Sequence, residues 1–340
     1  MPKTSSSRVQ TRFEDFVGRE EMWAFGDSLT LSGRYQLLPS NHWASLVADR
    51  LNATTGDLVL RNFGEGGGTT STTAGGALSI IPARIAEFGV AAPWLATIAY
   101  GINDPGAAIN QATTQANLEA AIMAVKHGAV GYVAAETSLP AWPKPGERYV
   151  VGTDGSSTGG CAAPSGSGLN ARITGSQTGP TVWECRFAGA GVNSWGRVAI
   201  ATTAPLWCQR IIVVGTNYHN YPSDAGDNVA WSSGALSAFK YTEGTSTVSG
   251  SAAVTFATYS GVRAAQAAAV NAQDNGDSAG KVIFANLYEY VSRRISEGLD
   301  TQGSGLNHFS GPVANNIHWS ALGHGVAADC VLQAAKAAGW

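Results

Sequence analysis

The sequence predicts an α/β fold: a three-layer α/β/α sandwich around a central, mainly parallel sheet of five or six strands, carrying a β-rich insertion. Three observations lead there. Short apolar, β-branched runs recur along the 340 residues. Their apolar character is nearly continuous rather than alternating, as in strands buried on both faces. Helix-like stretches separate most of them, and such alternation implies right-handed crossovers between parallel strands.

In chain order, the expected strands are Met22–Gly26, Asp57–Phe63, Trp94–Tyr100, Val130–Ala135, Ile211–Gly215 and Val282–Leu287. The expected helices are His42–Leu51, Leu78–Phe88, Gln115–Lys126, Arg263–Ala272 and the alanine-rich Ala321–Ala338. Either Val130–Ala135 or Ile211–Gly215 is the fourth strand of the sheet, or both belong and the sheet is one strand wider. From Pro143 to Leu206 the helical period disappears and Gly, Ser and Thr dominate. β-like pieces remain at Arg148–Val151, Val182–Phe187 and Arg197–Ala201. A structureless loop of about 60 residues is uncommon in a compact domain, so this region reads as a β-rich insertion. The division is then an N-terminal extension (1–20), a first part of the α/β domain (21–142), the insertion (143–206) and a second part (207–340). Gly244–Val254 reads as a surface loop.

Apolar residues make up 44% of the chain, enough for a substantial core, while charged residues make up only 13%. Gly, Ser, Thr and Asn must therefore cover much of the surface, which suits an extracellular, secreted or virion-associated protein. Net charge is −3 and there is no basic run, so no nucleic-acid partner is expected. No apolar run reaches membrane-spanning length, and Met1–Glu20 lacks the apolar segment of a signal peptide. A soluble protein with no membrane partner is expected; its oligomeric state stays open. The cysteines, Cys161, Cys185, Cys208 and Cys330, form no CxxC pair, so no metal or other cofactor is expected. A Cys161–Cys185 bridge and buried free thiols weigh about equally.

Four segments carry chemistry. Phe25-Gly26-Asp27-Ser28-Leu29 follows the first strand, and a serine on a tight turn at a strand's carboxyl end is where an α/β sheet exposes reactive groups. Asn62-Phe63-Gly64-Glu65-Gly66-Gly67-Gly68-Thr69 ends the second strand, and its glycines let backbone N–H groups approach a ligand oxygen. Gly101-Ile102-Asn103-Asp104 ends the third; an Asn amide there can donate to an oxyanion, the plainer reading being a turn or a helix cap at Asp104-Pro105. Asn315-Asn316-Ile317-His318-Trp319-Ser320 places a histidine just before the last helix.

In this order and at these strand ends, the segments resemble the four blocks of the SGNH (GDSL-like) hydrolase superfamily. The likeness rests on Gly26-Asp27-Ser28-Leu29, the Asn62–Thr69 glycines, Gly101-x-Asn103-Asp104, and His318 followed by Ser320, Gly323 and His324. It covers roughly Met22–Thr137 and Ile211 to the end, leaving the insertion outside. The resemblance implies a flavodoxin-like, usually five-stranded sheet and a serine esterase. Ser28 is then the nucleophile and His318 its base. The Ser28 and Gly67 N–H groups and the Asn103 side chain form the oxyanion hole. Asp27, Trp319 and Trp142 are expected to contact substrate.

One position departs from the family pattern. The residue three before the histidine is usually aspartate and here is Asn315. An asparagine carbonyl can fix the tautomer of His318 but supplies no charge, so the options are a Ser-His-Asn set, a dyad held by a backbone carbonyl, or a degraded site. The insertion and its edges carry Trp142, Tyr149, Trp183, Trp195 and Trp207. These rings either stack on sugars or form the insertion's own small core. Functional readings follow in order: an O-acetyl or short-acyl esterase acting on an acylated polysaccharide, a general short-chain esterase or lipase, and an inactive glycan-binding or viral structural protein on this scaffold.

Overall fold

The computed structural model describes residues 20–31, 38–55, 58–89, 91–135, 138–140, 143–153, 180–187, 193–197, 206–216, 256–274, 280–296, 319 and 321–340. The central sheet contains β1 (Glu20–Gly26), β2 (Leu58–Gly64), β3 (Leu95–Ala99), β8 (Arg210–Val214) and β9 (Lys281–Ala285) in the order β2-β1-β3-β8-β9. Every pairing is parallel. The helices are α1 (Trp43–Thr55), α2 (Ala77–Phe88), α3 (Gln111–His127), α4 (Phe256–Gln273), α5 (Leu287–Ser296) and α6 (Ala321–Ala337).

Strand β1 explains the continuous apolar runs. Successive side chains point to opposite faces. Met22 and Ala24 join a core with Trp43 and Val47 of α1 and with Val326 and Val331 of α6. Trp23 and Phe25 join the other core, with Ile81 of α2 and with Leu118 and Ile122 of α3. All four strand residues are fully buried, so neither face tolerates a polar position. Helix α3 starts earlier than the periodicity indicates, because the Asn110 side chain accepts from Thr113 N at 2.9 Å and caps it. It stops at Gly128, whose φ of 64° terminates the helix in the left-handed region. Helix α5 was not anticipated; it is short and follows β9 after one residue.

A second sheet has the order β4-β5-β6-β7, from Gly131–Ala135, Arg148–Thr153, Thr181–Phe187 and Asn193–Arg197. This decides the fourth strand of the central sheet, which is Arg210–Val214. The run at Val130–Ala135 pairs instead with β5, so the central sheet has five strands and the second sheet begins before Pro143. Gly131 is required in that pairing, because a Cβ there would lie 2.0 Å from the Tyr149 ring. The sheet packs against α2 and α3, with Val150 and Val182 entering the same core as Ile81 and Leu118. Its seam is polar. Arg148 donates to His127 O at 3.0 Å and pairs with Glu184 at 2.8 Å, while Trp207 N donates to Lys126 O at 2.7 Å.

The structure corrects the sugar-stacking reading of Trp183 and Trp195. Both are fully buried and form a small core with Leu139, Val151 and Cys185. Tyr149 meets Trp195 edge-on at 5.5 Å, and Trp207 meets Trp23 edge-on at 5.5 Å. Trp142, Cys161 and Gly244–Val254 lie outside the described residues. Cys185, Cys208 and Cys330 are buried free thiols. Replacing Trp195 by Ala removes this small core's largest contact and the bond from its indole N–H to Pro140 O. A loss of about 3–5 kcal/mol is expected. Thermal unfolding measures it, and an unchanged Tm would show that the second sheet does not depend on this ring.

Candidate active site

The site is set by register. Gly26 of β1 pairs with Gly64 of β2 and with Ala99 of β3, so three strands end flush. The chain reverses its strand order here, and the crevice beyond the carboxyl ends at such a point is where α/β sheets bind ligands. Glycine is needed at both places. A Cβ on Gly26 would fall 2.1 Å from Thr30 Oγ1 and 2.8 Å from Ala99 O. A Cβ on Gly64 would fall 2.3 Å from Leu31 N.

Beyond Gly26 the chain turns through 27–30. Asp27 holds that turn with two groups. Its carbonyl accepts from Thr30 N at 2.9 Å and Leu31 N at 3.1 Å, and its carboxylate accepts from Leu29 N at 2.9 Å. Ser28 rides on this turn at 6% exposure. Burial pushes the Asp27 carboxyl up to about 7; the Leu29 N–H opposes this and the nearby Asp104 charge adds to it.

The second segment is locked to the first. Glu65 N donates to Gly26 O at 2.9 Å. Asn62 donates from Nδ2 to Thr30 O at 2.7 Å and accepts from Gly64 N at 2.9 Å. In the following loop Gly67 has φ 74°, a region that favours glycine, and open space where a side chain would project. Gly68 is confined instead: a Cβ there would meet Gly75 O at 2.6 Å and the Tyr100 ring at 2.9 Å.

The third segment closes on the second. Asn103 Nδ2 donates to Gly68 O at 2.9 Å. Asp104 is fully buried and does not cap the short helix that follows it. Its carboxylate accepts from Thr70 N at 2.9 Å, Thr70 Oγ1 at 2.6 Å and Thr114 Oγ1 at 2.7 Å, tying the glycine loop to α3. Burial raises its pKa and these bonds oppose the rise.

Residues 24–155 match the model of the GDSL-like Lipase/Acylhydrolase family. These residues carry the similarity to the SGNH (GDSL-like) hydrolases. No curated protein matches. Among solved structures, a lipase/acylhydrolase from Enterococcus faecalis is 13% identical, with 92% of this chain and 94% of that one covered and a TM-score of 0.41. A carbohydrate acetylesterase family member from Sinorhizobium meliloti is 12% identical over 93% and 97%, with a TM-score of 0.40. The esterase EstA from Pseudoalteromonas sp. is 29% identical over 31% and 52%, with a TM-score of 0.25.

The structure brings together the Ser28 turn, the Gly67 loop and Asn103. His318 and Asn315 lie outside the described residues, as does Trp142. Two of the expected substrate contacts are buried. Asp27 is 2% exposed and its carboxylate is engaged by the turn it forms. Trp319 is 5% exposed and packs edge-on against His324 at 5.3 Å. Gln266 of α4 was missed. Fully buried, it donates to Tyr100 O at 2.8 Å and accepts from Thr216 N at 3.0 Å, so it clamps the chain just beyond β3 and β8. Its signal was a single amide in the run Arg263-Ala-Ala-Gln266-Ala-Ala-Ala. Among the described residues no cluster of His, Cys, Asp and Glu could hold a metal ion.

The raised Asp27 carboxyl has a pH consequence. The folded chain keeps this proton up to about pH 7, whereas an unfolded aspartate releases it near pH 4. The contribution of Asp27 to stability is therefore full below pH 4 and falls as pH rises towards and through 7. Asp27→Asn removes this dependence. The Tm of the variant relative to the native protein is expected to rise between pH 5 and pH 8. A constant difference would mean that the buried carboxyl is not raised.

Proposed function

We propose that the protein is a serine esterase that removes short acyl groups, most simply acetyl, from a polar alcohol such as a carbohydrate hydroxyl. The observation that carries the reading is the closed rim formed by Glu65 N on Gly26 O and Asn103 Nδ2 on Gly68 O. It gathers a strand-end serine, a glycine loop and an amide donor at one edge. Ser28 Oγ attacks the ester carbonyl while His318 takes its proton. The oxyanion is held by the N–H groups of Ser28 and Gly67 and by the second N–H of the Asn103 amide, the first being used on Gly68 O. The tetrahedral intermediate collapses to an acyl-enzyme as His318 protonates the leaving alcohol. Water activated by the same imidazole then releases the acid. Asn315 orients His318 through its carbonyl, in a Ser-His-Asn arrangement.

The burial of Trp183 and Trp195 removes the argument from sugar-stacking rings. The carbohydrate reading therefore rests on the weakly charged, Gly-rich composition. The second reading is an inactive glycan-binding or structural protein, favoured by asparagine at 315.

A short-chain nitrophenyl ester separates the two. Turnover is expected from the native protein. Ser28→Ala should abolish it, Asn103→Ala should lower kcat by about 10²–10³, and Asn315→Ala should have a modest effect. Full activity in Ser28→Ala would overturn the assignment. Acid release from acetylated xylan, acetylated bacterial polysaccharide and triglyceride then reads the substrate class, and triglyceride as the best of the three would overturn the polar-alcohol reading.

A further inference from the structure

Strands β3 and β8 pair only as far as Ile98 and Val213. Just past that point a side chain joins the two chains. The Gln266 amide of α4 donates from Nε2 to Tyr100 O at 2.8 Å and accepts on Oε1 from Thr216 N at 3.0 Å. It supplies one donor and one acceptor, as a backbone peptide would, and so adds a rung where the strands have stopped pairing. Gln266 is fully buried, as are Ala265 beside it and Ala269 one turn on. Helix α4 also lies close against α3, since a Cβ on Gly261 would fall 3.2 Å from Gln111 Oε1. The amide is therefore presented from a firmly packed helix.

The contacts of this rung run on to Asn103. Gly101 follows the held carbonyl with φ 125°, and a Cβ there would lie 3.0 Å from Val262 and 3.3 Å from Gln266 Nε2. Glycine at 101 thus lets the amide reach Tyr100 O. Gly101 O in turn accepts from Asp104 N at 3.2 Å, closing a four-residue turn in which Asn103 is third. Asp104 anchors the far end of that turn, through Thr70 and Thr114. Gln266 anchors the near end. Without it Tyr100 O would be left buried and short of a donor, which favours rotation of the Tyr100–Gly101 peptide at the root of the turn.

We propose that Gln266 is a positioning residue for hydrolysis: by fixing the peptide before Gly101 it aims the Asn103 amide at the oxyanion. The inference rests on the reading of Asn103 as an oxyanion donor. Gln266 acts through the turn and not on substrate. Misplacing a catalytic group by about 1 Å can cost 10²-fold in rate, and a donor used only in the transition state is felt in kcat rather than in KM.

Gln266→Met deletes both hydrogen bonds at similar volume. Gln266→Asn keeps an amide that is one methylene too short to span Tyr100 O and Thr216 N, and it stands in should the first variant not fold. Circular dichroism verifies folding. With a nitrophenyl acetate, the folded variant is expected to lower kcat at least tenfold with KM within twofold. The deciding measurement is the same substitution in Asn103→Ala. If Gln266 works through Asn103, it should then lower kcat less than threefold further, because the donor it aims is gone. An equal loss in both backgrounds would overturn the proposal and make Gln266 a general structural clamp, and so would native kcat in the folded single variant. Asn103→Ala alone separates the two levels. If it is impaired while the Gln266 effect is absent or simply additive, the positioning role alone fails. If it retains native kcat, the oxyanion reading fails and takes the positioning role with it.

Discussion

Two backbone hydrogen bonds, Glu65 N to Gly26 O and Asp27 N to Ala99 O, continue the ladder one residue past the ends of β1 and β2. They carry the sheet's register into the loops. Because three strands end at the same level, the segments after them have nowhere to go but towards one another, and short links suffice to join them. Asn62 bonds back to Thr30 O, Asn103 reaches Gly68 O, and Asp104 gathers Thr70 and Thr114. Side chains at Gly26 or Gly64 would collide with backbone or with Thr30. The flush edge and the glycines are one requirement seen twice.

The layer beneath that edge was readable from the chain because burial on both faces leaves a continuous apolar signature, and β1 shows it without interruption. What could not be read was pairing. Val130–Ala135 has the composition of a sheet strand, yet its partner is chosen by contacts far along the sequence, among them the Tyr149 ring lying over Gly131. The tryptophans of the insertion were ambiguous for the same reason: a ring's composition says nothing of the side from which it is covered. Asn103 was legible as an amide at a strand end. The role of Asp104 was not, because its three donors come from residues 70 and 114. Gln266 was hidden in an alanine-rich helix, where one amide gives no periodic signal.

The edge is also costly in charge. Asp27 and Asp104 are both buried, and the Asp104 charge adds to the tendency of Asp27 to keep its proton. Backbone N–H and threonine hydroxyl donors offset part of that penalty. Tyr100 lies in the same region, and burial together with the Asp27 and Glu65 charges holds its phenol protonated. The turn bearing Ser28 is thus built on acidic groups that the fold stabilises by hydrogen bonds rather than by counter-ions.

The polar seam at the end of α3 bears on how such a chain can diversify. Helix α3 runs back from the strands' carboxyl ends, so its last carbonyls, on Lys126 and His127, lie at the opposite rim. There they are taken by Trp207 N and Arg148. The additional sheet leaves and rejoins the parent architecture between Gly128 and Cys208, at the pole remote from the serine. Material exchanged, lengthened or trimmed across that junction need not disturb the register of β1, β2 and β3. Such an attachment point lets accessory modules drift in sequence while the chemical edge stays fixed.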